Sequence, residues 1–161
     1  MALHNFSVAG LAFFPYTISN WDGRFLQMAS IVAGWSKDPS TKVGAVIADD
    51  KIMVAEGFNG FPSGHSDDIG LYHNREYKYA NIVHAEINAL QHMKGKYLFR
   101  QKMSIYVTHP PCVECCKQIL HEGIHRIVTR KPSGDMLSRW RESFVQMEYE
   151  VHAAGATLIY A

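Results

Sequence analysis

The chain has 161 residues, of which 47% are hydrophobic and 19% charged, enough for one domain with a buried core. This composition excludes collagen, coiled-coil and low-complexity proteins. With 16 Lys and Arg residues against 15 Asp and Glu residues, the formal net charge is +1, which argues against a protein that holds long nucleic acids and favours a small ligand.

The first predicted elements are a helix and a β-hairpin. Apolar residues at three- and four-residue intervals predict a helix over residues 24–35, with Asp22 as its cap. The residues assigned to its packing face are Phe25, Met28, Ile31, Val32 and Trp35. Two short apolar runs, 43–48 and 52–57, flank a polar turn and therefore predict an antiparallel hairpin.

The middle of the chain is predicted to be a long loop followed by a helix and a strand. Residues 57–81 contain four glycines and a proline without a sustained period, which favours an ordered, functional loop. Helix-forming residues follow His84 and end before Gly95. Residues 103–108 alternate as a buried strand does.

The last predicted elements alternate between helix and strand. A helix over 112–122 is closed by Gly123, a strand covers 124–129, a helix covers 136–154, and a last strand covers 156–160. Strands joined through helices favour parallel pairing. The chain is therefore expected to be a single α/β domain over residues 1–161, a three-layer α-β-α arrangement with a mixed five-stranded sheet.

Targeting signals and cysteine spacing bear on the compartment. No apolar run approaches the roughly 20 residues that span a bilayer, and the N-terminus lacks a signal-peptide pattern. We therefore expect a soluble, cytoplasmic protein without a membrane partner. Cys112, Cys115 and Cys116 lie within five positions, a poor disulfide framework that favours reduced thiols able to bind metal.

A metal site is predicted where two helices begin. His84 precedes one helix, while Cys112 and Cys115 lie in the first turn of another. An imidazole and two thiolates suit Zn²⁺, and three protein ligands leave a fourth tetrahedral position for water. Glu86 lies close to His84 without being needed as a ligand, so it is the candidate proton carrier.

Each part of this pattern has an alternative interpretation. The Cys-X-X-Cys segment could be a buried thiol pair, a redox motif, or half of a structural zinc site completed by His109 or His121. Cys116 points about 100° around the helix from Cys115, which favours a buried apolar thiol. Taken in order, with Pro111 before the first cysteine, the elements match the His-X-Glu and Pro-Cys-X-X-Cys signature of zinc-dependent deaminases.

From about residue 24 to 130 the sequence resembles the cytidine deaminase superfamily, and within it the deoxycytidylate (dCMP) deaminases. Beyond the zinc signature, the resemblance rests on four stretches, which are 36–39, 43–47, the Gly-Phe-Asn-Gly-Phe-Pro-Ser-Gly run of 57–64, and 66–68. It implies hydrolysis of dCMP to dUMP and ammonia, which supplies thymidylate synthesis. It also implies a homohexamer, activation by dCTP, inhibition by dTTP, and Mg²⁺ with the effector.

The resemblance also assigns roles residue by residue. His84, Cys112 and Cys115 match the zinc ligands, and Glu86 matches the residue that moves protons to the pyrimidine ring and the leaving amino group. Asn59 matches a sugar contact, and the backbone at Ala85 matches a contact to the pyrimidine edge. Ser36 and Lys37 are candidates near the phosphate. An ordinary turn at Asn59 and a solvated charge at Lys37 are the alternatives.

Two loop histidines and a group of C-terminal cations each have two interpretations. His65 and His73 lie where some members bind a second metal, but the corresponding cysteines are absent, which favours exposed histidines. Five cations crowd the C-terminal third and form either a solvated face or a phosphate contact, namely Arg126, Arg130, Lys131, Arg139 and Arg141. The competing functions are a polynucleotide deaminase and a non-catalytic nucleotide sensor. The net charge argues against the first, and Glu86 argues against the second.

Overall fold

A mixed five-stranded sheet organises the computed structural model, which describes residues 7–11, 17–95 and 102–161. Its strands are β1 (Gly44–Asp49), β2 (Ile52–Phe58), β3 (Met103–Val107), β4 (Arg126–Thr129) and β5 (Thr157–Tyr160). They lie side by side in the order β2-β1-β3-β4-β5. Strand β1 is antiparallel to both β2 and β3, whereas β3, β4 and β5 are parallel. The predicted mixed sheet and its hairpin are confirmed.

Helices cover both faces of this sheet. They are α1 (Asn20–Ala33), α2 (Ile69–His73), α3 (Arg75–Asn81), α4 (Ala85–Met93), α5 (Val113–His121) and α6 (Gly134–Ala153). Side chains alternate between the faces along each strand, so Val46 packs against α1 while Ile47 joins the cluster that includes residues of α4, α5 and α6. The predicted three-layer architecture is therefore confirmed. No helix among the described residues is long and apolar enough to cross a membrane.

Helix α1 begins earlier than predicted and buries a different face. Its cap is Ser19, whose hydroxyl accepts a hydrogen bond from the backbone N–H of Asp22, while the Asp22 carboxylate accepts one from the backbone N–H of Ser19. Asp22 is thus the third helical residue, and the prediction that it is the cap was wrong. Ile31, assigned to the packing face, is exposed because the buried residues of α1 are Asp22, Phe25, Leu26, Ala29, Val32 and Ala33. Trp35, assigned to the same face, is exposed and lies beyond the end of the helix at Ala33, two residues before the predicted end.

The predicted loop over 57–81 holds two short helices. Helix α2 is capped by the side chain of Asp68, and α3 by that of Asn74, each of which accepts a hydrogen bond from a backbone N–H of its helix. Helices of five and seven residues are too short to show a period in the sequence. The element order therefore contains two more helices than predicted.

Gly57 sets the distance between strand β2 and helix α4. A Cβ atom built at this position would lie 2.3 Å from the backbone N of Ala89 and 2.4 Å from the backbone O of Ala85. A methyl group cannot occupy that space, so only glycine lets the helix pack this closely against the strand. This contact holds the first turn of α4 against the end of the hairpin.

Glu148 of α6 is a buried carboxylate that fastens the chain near its N-terminus to the core. One of its oxygens accepts hydrogen bonds from the Val8 N–H and the Tyr160 hydroxyl, and the other from the Ser7 hydroxyl and the Ala9 N–H. The residue has no exposed surface. All four groups donate to the two oxygens of a carboxylate, whereas a neutral amide offers one acceptor oxygen.

We expect Glu148→Gln to lower the free energy of unfolding by about 2 kcal/mol, because its amide N–H₂ would face donors that then lose their acceptor. Urea unfolding followed by circular dichroism measures this change. Glu142→Gln is the matched control, since Glu142 is exposed on the same helix and is expected to change the free energy by less than about 0.5 kcal/mol. Equal effects of the two substitutions would contradict the role given to Glu148.

Candidate active site

Two helix starts bring three potential metal ligands together. His84 is the N-cap residue of α4 and Cys112 is the N-cap residue of α5. The His84 Nδ1 atom lies 3.5 Å from Cys112 Sγ and 3.2 Å from Cys115 Sγ. The His84 side chain makes no capping hydrogen bond to its own helix, so the imidazole is free to turn toward the sulfurs.

The donor set and its spacing fit zinc. All three atoms lie within 4.8 Å of one another, which makes them the metal-capable group of three found in the described residues. Zinc–nitrogen and zinc–sulfur bonds of about 2.0 and 2.3 Å at a tetrahedral angle place the two donor atoms about 3.5 Å apart. The two nitrogen–sulfur distances are close to that value, so one ion could contact all three atoms.

The electrostatics of the cluster favour a thiolate at Cys112. A hydrogen bond from the Cys115 thiol, together with the neighbouring His84 and the backbone N–H of Cys115, lowers the pKa of Cys112 to about 4. The same hydrogen bond, with burial, raises the pKa of Cys115. The hydrogen bond to Cys112 also raises the pKa of His84. A cation placed among these groups would replace the protons that they share.

Glu86 lies beside this cluster in the first turn of α4. Its side chain is almost fully buried, and burial raises the pKa of the carboxyl group, while the nearby His84 acts in the opposite direction. A buried carboxyl group next to a metal-capable cluster is suited to accept a proton and to release it nearby.

A cavity of about 300 Å³ is lined by Glu86 and extends from the metal-capable side chains His84 and Cys112 to α6. Its walls come from the loop before β1, the end of the hairpin, the end of α3, the starts of α4 and α5, the loop before α5, and the first half of α6. Outside α6, the residues that line it include Asn59, His84, Ala85, Glu86 and Cys112. The volume suits one small ligand.

Asn59 reaches the cavity from a rigid frame. Its side-chain Oδ1 accepts a hydrogen bond from the Val43 N–H at 2.8 Å, and its Nδ2 donates to the Thr41 carbonyl at 2.8 Å. The Asp38 carboxylate lies 3.5 Å from the same Nδ2 and pairs with Lys78 at 2.8 Å. Burial would raise the pKa of Asp38, but hydrogen bonds from Lys78 and Ser40 outweigh it and lower this pKa. The amide of Asn59 is thus fixed in one orientation.

Ser36 and Lys37 do not line this cavity. The Ser36 hydroxyl is buried and donates a hydrogen bond to the Asn59 carbonyl, so it supports the backbone of the cavity wall. Lys37 is exposed and pairs with Asp67. The structure brings together His84, Cys112, Cys115, Glu86, Ala85 and Asn59, and leaves these two residues outside the lining.

The structure also places Cys116, His65 and His73, for which the sequence predicted no part in the zinc site. Cys116 is buried in the apolar core, as expected, and burial raises the pKa of its thiol to about 12. His65 packs against Phe61 and lies 2.8 Å from the Tyr77 hydroxyl, whereas His73 is exposed. Among the described residues, neither histidine belongs to a metal-capable group of three.

Sequence reasoning missed part of the wall. His109, which the sequence suggested only as a possible ligand of a structural zinc site, lines the cavity, and burial together with the charge of Arg130 lowers its pKa. Helix α6 adds Met136, Arg139, Trp140, Ser143 and Phe144. The three- and four-residue spacing of these residues could have indicated one helical face, but only the tertiary structure shows what that face meets.

Comparison with known proteins adds a family match. Residues 19–131 match the family model described as the cytidine and deoxycytidylate deaminase zinc-binding region. An uncharacterized deaminase in the luxG 3′ region of Aliivibrio fischeri is 45% identical over 125 residues, which cover 78% of this chain and 82% of that protein. The deoxycytidylate deaminase of Homo sapiens is 34% identical over 114 residues, which cover 67% of this chain. The alignment spans 63% of the human protein, less than two thirds of its length.

Solved structures share the fold. The dCMP deaminase of the cyanophage S-TIM5, crystallised with dCMP and dUMP, superposes with a TM-score of 0.69 at 20% sequence identity. The superposition covers 91% of this chain and 100% of the phage protein. At that identity the likeness establishes a common fold, including the mixed sheet described above.

Proposed function

The chain belongs to the cytidine and deoxycytidylate deaminase family, and from this premise we propose that it is a zinc-dependent hydrolase that converts dCMP to dUMP and ammonia. The single observation that carries the proposal is the arrangement of His84, Cys112 and Cys115 within 4.8 Å of one another, beside a buried Glu86 in the same cavity. In this proposal residues 1–161 act as one deaminase domain.

Three residues would hold the zinc ion, through His84 Nδ1 and the sulfurs of Cys112 and Cys115. When bound, zinc would supply Lewis-acid activation of a water molecule, whose pKa falls to about 7 in comparable sites. Because the protein offers three ligands, a fourth position remains for that water.

Glu86 is the proton carrier of the proposed reaction. Its carboxylate accepts a proton from the attacking water as the new bond to C4 of cytosine forms, and gives this proton to ring N3. It then takes the proton of the new hydroxyl group and transfers it to the amino group. The C4–N bond breaks, ammonia leaves, and the carbonyl group of uracil remains.

Two further groups orient the substrate in this proposal. The backbone N–H of Ala85 belongs to the first turn of α4, where amides have no acceptor within the helix, so it can donate to an oxygen of the pyrimidine ring. Asn59, held by Thr41 and Val43, presents its fixed amide to the sugar. Substrate would thus meet groups that are already in place, which reduces the entropy lost on binding.

Family membership supports the wider parts of the proposal. They are a role in supplying dUMP for thymidylate synthesis, activation by dCTP with Mg²⁺, inhibition by dTTP, assembly into a homohexamer, and action in the cytoplasm. Ser36 and Lys37 stay candidates near the phosphate, through the backbone of Asn59 in the first case.

The test is ammonia release by the zinc-loaded protein from dCMP, deoxycytidine, dCTP and a single-stranded oligonucleotide that contains cytosine. We expect turnover of dCMP, with kcat/KM at least about tenfold above that of deoxycytidine, because a charge-assisted contact to phosphate contributes 1.5 kcal/mol or more. Repeating the dCMP assay with dCTP and Mg²⁺, and with dTTP, tests regulation separately. Turnover of the oligonucleotide alone would replace the proposal with a polynucleotide deaminase, and ligand binding without any turnover would replace it with a nucleotide sensor.

A further inference from the structure

One wall of the catalytic cavity comes from a helix that lies outside the matched family segment. Helix α6 begins at Gly134, after the match ends at residue 131. Five of its residues line the cavity at three- and four-residue intervals, namely Met136, Arg139, Trp140, Ser143 and Phe144. The part of the ligand that meets this wall would therefore be recognised by residues outside the segment that the family model matches.

Two Lys and Arg side chains line the cavity, Lys78 and Arg139, and of these Arg139 has no charged partner among the described residues. Lys78 forms an ion pair with Asp38 at a nitrogen–oxygen distance of 2.8 Å, and its side chain is 11% exposed. His84 is one of the three candidate zinc ligands. Within residues 7–11, 17–95 and 102–161, no carboxylate forms an ion pair with Arg139.

The guanidinium group of Arg139 has donors to spare. Its Nε donates to the backbone carbonyl of Asp135 at 3.3 Å, one helical turn earlier, which directs the side chain along the helix surface. The two terminal nitrogens have no hydrogen-bond acceptor among the described residues. The backbone of Trp140 is non-helical, with φ of −121° and ψ of 16°, so the helix bends directly after Arg139.

We propose that Arg139 binds the 5′-phosphate of the substrate and thereby makes the protein select a nucleotide over a nucleoside. This inference rests on the proposed function. A planar guanidinium group with free N–H donors matches the oxygens of a phosphate in a bidentate way. Arg139 is exposed, lines the cavity and has no charged partner among the described residues, so it can attract that charge. The phosphate lies at the α6 wall, and the pyrimidine lies at Glu86.

A neighbouring basic pocket is the competing location for the phosphate. It is lined by Lys42, Arg130 and Lys131 and shares His109, Pro110 and Met136 with the catalytic cavity. All three of its cations have interactions: Lys42 donates to the Ser36 carbonyl, Arg130 donates to the Ser30 hydroxyl, and Lys131 also interacts within the protein. Arg139 is favoured because it lines the same cavity as Glu86.

The experiment compares Arg139→Gln, Arg139→Lys and Arg130→Gln with a matched control, Arg141→Gln. Arg141 is exposed on the same helix and does not line the cavity. For each variant, kcat/KM is measured for dCMP and for deoxycytidine. We expect Arg139→Gln to lower kcat/KM for dCMP by about 10- to 100-fold and to leave deoxycytidine within about twofold. Arg139→Lys retains an intermediate preference, and Arg141→Gln changes neither substrate.

Binding of the products gives a second readout that needs no turnover. Calorimetric titration of the zinc-loaded protein with dUMP and with deoxyuridine is expected to show tighter binding of dUMP, and Arg139→Gln removes most of that difference. Equal losses for both ligands, no loss, or a loss confined to Arg130→Gln would each overturn the assignment of Arg139. Absence of dCMP turnover in the unmodified protein would instead overturn the proposed function, while the titration still decides the role of Arg139.

Discussion

Replacing Glu86 by Gln is expected to lower kcat for dCMP by roughly a thousandfold or more, while the protein stays folded and retains zinc. Glutamine has nearly the same volume and fills the same buried position in α4, but it cannot take up and release a proton. General acid and base catalysis contributes about 10²- to 10⁴-fold for one transfer, and Glu86 is assigned more than one transfer here. Ammonia release and zinc content, measured on one preparation, check both parts.

Glu114→Gln is the control for this substitution. Glu114 lies in the first turn of α5 between the two candidate cysteine ligands, yet it is exposed and pairs with Lys117. Its replacement removes the same charge at a similar distance along the sequence from a ligand, and we expect kcat to change by less than about twofold. If Glu86→Gln kept more than a tenth of the activity, Glu86 could not be the proton carrier.

Replacing Cys115 by Ala is expected to abolish zinc retention and turnover together. Structural zinc sites bind with an apparent free energy of about 10–16 kcal/mol shared among their ligands, so removal of one of three ligands weakens binding by several kcal/mol, or a thousandfold or more. Because the metal binds the folded chain, we also expect a lower melting temperature than that of the zinc-loaded protein. Metal analysis after dialysis and a thermal melt give these two quantities.

Cys116→Ala is the matched control, because Cys116 is adjacent in sequence and equally buried but lies in the apolar core. It creates a small cavity and is expected to cost about 1 kcal/mol of stability, with zinc content and kcat almost unchanged. If Cys116→Ala released zinc while Cys115→Ala kept it, the ligand assignment at this helix would be wrong. If both variants kept zinc, the ion would be held elsewhere.

The sheet could be predicted because its signals are local. The hairpin follows from two apolar runs around a polar turn, where Asp50 adopts a left-handed φ of 53°, and parallel pairing of the later strands follows from the helices between them. Helices α2 and α3 were not predicted, because five or seven residues cannot establish a helical period. The capping residues Asp68 and Asn74 were the sequence signals that could have indicated where these helices begin.

One part of the candidate site could likewise be predicted from local sequence signals, and another part could not. His84, Glu86, Cys112 and Cys115 fall into two short segments whose spacing indicates chemistry, and the structure places their side chains together. Their roles as ligands and proton carrier remain predictions. The α6 wall could not be predicted, because the sequence leaves Arg139 as either a solvated cation or a phosphate contact. The packing of α6 is needed to show which residues of the helix line the cavity.

The origin of that wall has a consequence for how this protein could change. The candidate metal ligands and the proposed proton carrier come from residues 84–115, whereas the surface opposite them comes from α6, beyond the segment that the family model matches. In these proposals, the reaction chemistry and the recognition of the phosphate are thus encoded in separate stretches of the chain. Exchange of the first three turns of α6 would therefore be a way to change which substrate this deaminase prefers, while the residues assigned to the reaction stay unaltered.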